Sequence, residues 1–238
     1  MPPEKRRLNY KFVTCIQEEH RQPIYAVVFC NIGSDALAQI FATIGGCCVT
    51  IYCVTDVGHT DPRQVYVDDD KEEAYYACTW SLTSAGTPLL IVGGKRGILK
   101  VIDVSQKKLA FHLSGHGNEL TELSNHPTDS SLIVSTSKDE SARLWSLKTR
   151  HCIAIFAGDN GHRADVLSAD IHLSGSKMLT CGMDNNVKLW DLNAPSLKDA
   201  IANASPEKKT VQHQFPIFPR MRYTRIMLTV FDGRAIWC

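Results

Sequence analysis

Short apolar runs separated by polar and turn-forming residues recur from about residue 25 to residue 190 of this chain. β-Branched and aromatic residues are frequent in these runs, which favours extended backbone over helix. The runs predict β-strands at 25–29, 89–93, 132–135 and 178–181. Residues 196–204 have only a weak helical pattern, and we interpret segment 194–218 as a loop insertion between two repeats. The pattern as a whole therefore predicts an all-β protein.

Two segments, 112–147 and 158–192, share one spacing of polar residues. Each contains a Gly-His pair, then a hydroxyl residue four positions before an aspartate, and a tryptophan six positions after that aspartate. The two tryptophans are 45 residues apart, which is the length of one four-stranded blade of a WD-repeat propeller. The two polar sets are His116, Ser135, Asp139 and Trp145, and His162, Thr180, Asp184 and Trp190.

Two less regular units precede these segments, and they end in Tyr52 and Ile102 where the later units end in tryptophan. Aligned on these end positions, the chain contains four units of similar length. We therefore predict a WD-repeat β-propeller array over residues 11–193, preceded by a flexible N-terminus at residues 1–10.

The polar sets have a structural explanation. A buried tryptophan N–H needs an acceptor, the hydroxyl supplies one, and His and Asp can extend the hydrogen-bond chain to the next turn. The same residue types also occur in catalytic Ser-His-Asp sets. However, the arrangement occurs twice at one spacing, and neither hydroxyl residue lies in a nucleophile-elbow glycine pattern. We therefore predict structural tetrads and no catalytic residue.

The composition narrows the class of function. Lys plus Arg number 26 and Asp plus Glu number 25, so the chain lacks the basic excess typical of proteins that bind nucleic-acid phosphates. No stretch is long and apolar enough to span a bilayer, and the N-terminus lacks the apolar core of a signal peptide. These features favour a soluble protein that acts by binding other proteins.

The nine cysteines are an odd number and include no Cys-x-x-Cys pair, which is typical of a reducing compartment. Cys47, Cys48 and Cys53 lie close together in the sequence with His59 nearby, so a zinc site is an alternative. Because neighbouring residues of a strand point to opposite faces, Cys47 and Cys48 cannot easily bind one ion. We predict no metal or other cofactor.

Several motifs outside the repeat consensus give a more specific indication. They are Gln22-Pro23-Ile24-Tyr25, Phe41 to Gly46, Tyr75 to Trp80, Gly115 to Leu120, Val166 to Asp170 and Cys181 to Asp184. From about Tyr10 to Phe218 the chain resembles the Extra sex combs / embryonic ectoderm development family, the WD-repeat subunit of the Polycomb histone methyltransferase complex. Ser124 and Asn125 depart from the family pattern, so we expect their strand to pack less well.

The resemblance implies a nuclear, non-catalytic scaffold that supports transcriptional repression. One end of the propeller would bind a trimethylated histone tail in an aromatic cage, and the opposite face would bind an Enhancer-of-zeste methyltransferase among other Polycomb subunits. Tyr25 and Tyr76 match cage positions, and the remaining cage aromatics belong to a later blade. Tyr25 is 27 residues before Tyr52 and Tyr76 is 26 before Ile102, which also places the pair at equivalent positions of successive repeats.

Alternatives remain open for both the pair and the protein. The two tyrosines can instead be strand-edge residues that pack against neighbouring loops. The protein can instead be a generic WD-repeat scaffold, such as a ubiquitin-ligase or splicing-complex adaptor. We interpret the acidic run from Asp68 to Glu73 as a solvated loop rather than a cation site.

The resemblance stops after Phe218, and residues 219–238 match neither a blade nor the family. When their codons are read one base earlier, they can encode Asn-Tyr-Val-Asp-Cys-Val-Arg-Trp, the family's next strand. We therefore interpret residues 219–238 as a frameshifted tail. The expected product is an incomplete, open array with about four of the family's seven blades and with unpaired strand edges.

Overall fold

The computed structural model describes residues 11–33, 39–55 and 58–202. The N-terminus at residues 1–10, the later part of the expected insertion at 203–218 and the proposed frameshifted tail at 219–238 lie outside these residues. The domain boundaries given by the sequence therefore stay predictions there.

The described residues form four antiparallel sheets, in which consecutive strands are hydrogen-bonded neighbours. The first sheet contains β1 (Ala26–Phe29), β2 (Ile40–Gly45), β3 (Cys48–Val54) and β4 (Thr60–Val67). The second contains β5 (Tyr75–Leu82), β6 (Pro88–Gly94), β7 (Leu99–Asp103) and β8 (Lys108–Leu113). The third contains β9 (Leu120–Asn125), β10 (Leu132–Ser137), β11 (Ala142–Ser146) and β12 (His151–Phe156). The fourth contains β13 (Val166–Ile171), β14 (Lys177–Gly182) and β15 (Val187–Asp191).

The first strands of the sheets contact one another in the order β1, β5, β9, β13, as the inner strands of propeller blades do. Apolar side chains fill each junction between consecutive sheets, with Trp80 at the first, Leu120 at the second and Trp190 at the third. The predicted all-β, WD-repeat class and the four predicted strands are confirmed.

The four sheets form an open array among the described residues, as the sequence predicts. The outward face of the fourth sheet exposes Leu179 and Val187. The outward face of the first sheet is partly covered by the chain that precedes β1. There the buried Glu18 carboxylate accepts hydrogen bonds from the hydroxyls of Thr43 and Thr50, the latter at 3.1 Å.

Helix α1 (Pro195–Ala202) follows β15, so the first part of the segment interpreted as an insertion between two repeats is helical. Proline is favoured in the first turn of a helix, because its missing N–H is not needed there. Leu197 is fully buried against the core between the third and fourth sheets, with Ile201 packed beside it. Tertiary packing therefore stabilises a helix whose sequence periodicity is weak.

Tight turns join the second and third strands of the last three sheets, and each contains one residue with a positive φ angle. These residues are Gly97 at 69°, Glu140 at 65° and Asn185 at 58°. Glutamate rarely adopts this conformation, so the turn at Glu140 needs support from its neighbours. Asp139 gives that support, because its Oδ1 accepts the Ser141 amide at 3.1 Å and the Ser141 hydroxyl at 2.6 Å.

Hydrogen bonds between inner strands connect consecutive sheets. The Trp80 indole donates to the Val28 carbonyl at 3.0 Å, and the Asn125 amide donates to the Trp80 carbonyl. The Ser124 hydroxyl donates to the Ala169 carbonyl at 2.9 Å. Ser124 and Asn125, which were expected to make their strand pack less well, therefore form hydrogen bonds to the two neighbouring sheets. The Asn125 Oδ1 atom is buried without a hydrogen-bond partner, which reduces the stabilisation that this side chain provides.

Candidate functional site

The first predicted tetrad forms one connected hydrogen-bond network. His116 lies in the loop before β9, Ser135 on β10, Asp139 in the following turn and Trp145 on β11. The Trp145 indole donates to the Ser135 hydroxyl at 2.7 Å, and that hydroxyl lies 2.7 Å from His116 Nε2. His116 Nδ1 is 2.8 Å from Asp139 Oδ2. The network therefore ties the loop before the inner strand to the two strands outside it.

The second tetrad repeats this geometry in the fourth sheet. The Trp190 indole donates to the Thr180 hydroxyl at 2.9 Å, and His162 Nε2 lies 2.9 Å from the same oxygen. His162 Nδ1 is 2.9 Å from Asp184 Oδ1. Thr180 is only 1% exposed and Ser135 is fully buried, so neither hydroxyl can reach a substrate. This burial favours a structural role over a catalytic one.

The tetrads also shift the ionisation of their members. Burial lowers the pKa of His116 below its ordinary value of 6.5, although the Asp139 carboxylate opposes this shift. Burial alone would raise the pKa of Asp184, but hydrogen bonds from His162 and the Arg163 amide lower it to about 2. In Asp139, burial is likewise outweighed by hydrogen bonds, first from His116, and its pKa lies below the ordinary range.

We therefore expect acid to destabilise the protein in two steps. The unfolded chain takes up a proton at His116 before the folded chain does, so stability falls as the pH drops below 6.5. The Asp184 contribution is present above pH 3.8 and is lost as the pH falls to about 2. Its size is about 2 kcal/mol, from the difference between the two pKa values. Urea unfolding between pH 7.5 and pH 2 should show both steps, and Asp184→Asn should reduce the second.

Tyr25 and Tyr76, the predicted cage pair, lie against each other. Tyr25 directly precedes β1, and Tyr76 is the second residue of β5, the inner strand of the neighbouring sheet. Their ring centroids are 5.0 Å apart and the ring planes make an angle of 80°. Tyr25 is 53% exposed, so the pair faces solvent at one end of the inner strands. A cation in the corner between perpendicular rings would contact both aromatic faces.

The acidic run before β5 is only partly solvated, so its interpretation as a solvated loop is wrong for two of its residues. Asp68 and Glu73 are both buried. The Asp68 carboxylate accepts hydrogen bonds from the Tyr75 hydroxyl and from Lys100 Nζ. Burial alone would raise the pKa of Asp68, but these two bonds lower it. An ion pair thus joins Asp68, which follows β4 of the first sheet, to Lys100 on β7 of the second sheet. The sequence pattern does not predict this pair, because the two residues are 32 positions apart.

The candidate zinc ligands do not form a metal site among the described residues. There, no three His, Cys, Asp or Glu side chains are grouped so that they could hold an ion. The eight cysteines in this part of the chain are all free thiols. No helix among these residues is long and apolar enough to cross a membrane.

Comparison with known proteins agrees with this architecture. Residues 107–146 and 150–191 match the WD domain, G-beta repeat family, so the class is that of a WD-repeat propeller array. Polycomb protein esc of Drosophila melanogaster is 37% identical over 223 residues, covering 90% of this chain and 52% of the relative. Polycomb group protein FIE2 of Zea mays is 44% identical over 176 residues, covering 73% and 46%. The chain belongs to the Extra sex combs family of Polycomb WD-repeat proteins, and it spans about half the length of these relatives.

Solved structures of the same class are similar over most of this chain. A chain in a structure of ctPRC2 in complex with H3K27me3 and H3K27M has a TM-score of 0.69 and 29% identity, covering 80% of this chain and 42% of that one. A chain in the crystal structure of Chaetomium thermophilum polycomb repressive complex 2 has a TM-score of 0.68 and 27% identity, covering 89% and 44%. The sheets described above therefore correspond to part of a Polycomb propeller.

Proposed function

We propose that the protein is a non-catalytic Polycomb scaffold in the nucleus that binds trimethyl-lysine of a histone tail through Tyr25 and Tyr76. The observation that carries this proposal is the perpendicular, solvent-facing tyrosine pair, with ring centroids 5.0 Å apart. A quaternary ammonium lacks N–H donors, so it is recognised by aromatic faces and not by hydrogen bonds. The H3K27me3 named for one similar structure is a ligand of this chemistry.

The alternative explanation of the pair, simple packing at a strand edge, accounts less well for its exposure. Aromatic side chains that serve only packing are usually covered, whereas Tyr25 remains 53% exposed although a partner ring lies beside it. The neighbouring Tyr75 shows the contrast, since it is fully buried with its hydroxyl bonded to Asp68. Of the two consecutive tyrosines, Tyr75 is thus a core residue, and Tyr76 belongs to the exposed pair with Tyr25.

The partner of this scaffold is proposed to be an Enhancer-of-zeste histone methyltransferase, together with other Polycomb subunits. Its support is membership of the family and similarity to chains of polycomb repressive complex 2. The burial of Ser135 and Thr180 supports a role without catalysis. A generic WD adaptor would share the fold but would have no need of the exposed tyrosine pair.

The test is a titration with a trimethyl-lysine histone peptide and its unmethylated form, followed by fluorescence anisotropy. We expect the methylated peptide to bind more tightly, and Tyr76→Ala to weaken that binding by about tenfold, which corresponds to the loss of one cation–π contact. Tyr76→Phe keeps the ring and should keep most of the affinity.

Phe111→Ala is the matched control. Phe111 also stacks with another side chain, Arg150 at 4.6 Å, but it lies on β8, the outermost strand of its sheet. This variant should bind like the original protein. Equal affinity for methylated and unmethylated peptides, or binding unaffected by Tyr76→Ala, would show that the pair is not a methyl-lysine site.

A further inference from the structure

Glu119 and Asp165 lie at the same end of the array as the tyrosine pair. A backbone hydrogen bond of about 3 Å recurs at the start of the last three inner strands, and it fixes which residues are equivalent. In the second sheet the Lys95 amide donates to the Ala74 carbonyl. The corresponding bonds run from Lys138 to Glu119 in the third sheet and from Met183 to Asp165 in the fourth. Ala74 is two residues before Tyr76, so the equivalent positions in the third and fourth sheets bring carboxylates to this end.

Lys138 forms an ion pair with the first of these two carboxylates, Glu119. Its Nζ donates to Glu119 Oε2 at 2.6 Å, and both side chains remain partly exposed, at 41% and 25%. The hydrogen bond to Glu119 raises the pKa of Lys138, and the charge of Asp165 contributes to the same shift. Lys138 is paired with one of the two carboxylates, so Glu119, Lys138 and Asp165 together carry a net negative charge.

The charge of Glu119 acts on the tyrosine pair. Burial raises the pKa of Tyr76, and the Glu119 carboxylate raises it further. Tyr25 and Glu73 act in the same direction, whereas the positive charge of Lys138 opposes the shift. Glu73 itself is buried, and burial raises its pKa, so it contributes less negative charge than an exposed glutamate. Glu119, whose side chain is partly exposed, is thus the carboxylate that a ligand bound against Tyr76 would meet.

We propose that Glu119 is a specificity residue that favours peptides in which the residue next to trimethyl-lysine is basic. This inference rests on the proposed function, since it assumes that the ligand is a trimethyl-lysine peptide bound at Tyr25 and Tyr76. A basic side chain beside the methyl-lysine can share the Glu119 carboxylate with Lys138, or pair with Asp165. An acidic side chain at that place would meet two carboxylates and be disfavoured.

The experiment compares two trimethyl-lysine peptides that differ at the neighbouring residue, arginine in one and citrulline in the other. Citrulline keeps the length and planarity of arginine but lacks its charge. We expect the arginine peptide to bind about two- to fivefold more tightly at low salt, the range of an exposed ion pair. The preference should shrink at 0.5 M salt, because exposed charges are screened there.

Glu119→Gln should reduce the ratio of the two affinities to about one while it leaves citrulline-peptide binding nearly unchanged. Asp61→Asn is the control, because it removes an exposed carboxylate from β4, the outermost strand of the first sheet. That variant should keep the full preference for arginine.

Two failures are distinguishable. If both peptides bind and the ratio of their affinities is the same in the original protein and in Glu119→Gln, the inference is overturned. The proposed methyl-lysine site at the two tyrosines is then unaffected. Failure to bind either peptide would overturn the proposed function, and this inference with it.

Discussion

Lys100→Met is expected to lower the free energy of unfolding by about 3 kcal/mol, because it leaves the Asp68 carboxylate buried without its cationic partner. Asp68 is 4% exposed and would keep only the Tyr75 hydroxyl and the Asp70 amide as donors. Methionine retains the unbranched shape and most of the length of the lysine side chain, so loss of packing contributes little. Urea unfolding at pH 7, followed by tryptophan fluorescence, measures the change.

A second substitution and a control make this result specific to the buried pair. Asp68→Asn in the Lys100→Met background removes the uncompensated charge while it keeps an acceptor for Tyr75, so it should recover part of the lost stability. Arg96→Gln removes an exposed cation that pairs with Asp70 at 2.8 Å, and it should leave stability almost unchanged. An equal loss of stability in Lys100→Met and Arg96→Gln would show that the burial of Asp68 is not the cause.

Replacing both tetrad aspartates, Asp139→Ala with Asp184→Ala, is expected to cost about 2 to 6 kcal/mol. Each replacement should cost about 1 to 3 kcal/mol, because a buried histidine and several backbone amides lose their acceptor. The two networks lie in different sheets and share no hydrogen-bond partner, so the two effects should add. Denaturant unfolding of the two single variants and the double variant tests both the sizes and the sum.

Asp159→Ala is the matched control for these variants. Its side chain is 89% exposed and lies 3.9 Å from Arg163, so its removal should change stability little. A double variant as stable as the control would contradict the role given to the tetrads.

Local spacing made the fold and the tetrads predictable. Ser135, Asp139 and Trp145 lie within one pair of adjacent strands, so their separation in sequence determines their contact in space. The position of His116 follows from the repeat, because the loop before an inner strand occurs once in every unit. Tyr25 and Tyr76 are far apart in sequence, and their meeting was indicated by the family resemblance and by their equivalent positions in the repeat.

The buried charges could not be predicted in this way. Glu18 bonds to Thr43 and Thr50, which lie 25 and 32 residues further along the chain, and no periodicity relates these positions. An acidic residue in a sequence is usually solvated, and only its tertiary partners decide otherwise. Helix α1 was missed for a related reason, since burial of Leu197 stabilises it and local propensity does not.

Hydrogen bonds between neighbouring sheets affect both the folding of the chain and the exchange of its amide hydrogens with solvent. They join Trp80 to Val28, Asn125 to Trp80 and Ser124 to Ala169. Each of them connects a sheet only to its immediate neighbour, and each sheet is built from strands that are consecutive in sequence. Folding can therefore begin in one sheet and spread to the next, and little conformational entropy is lost in closing long loops. Hydrogen exchange should accordingly report several openings of different free energy, with the amides of β9 and β10, held by sheets on both sides, among the slowest.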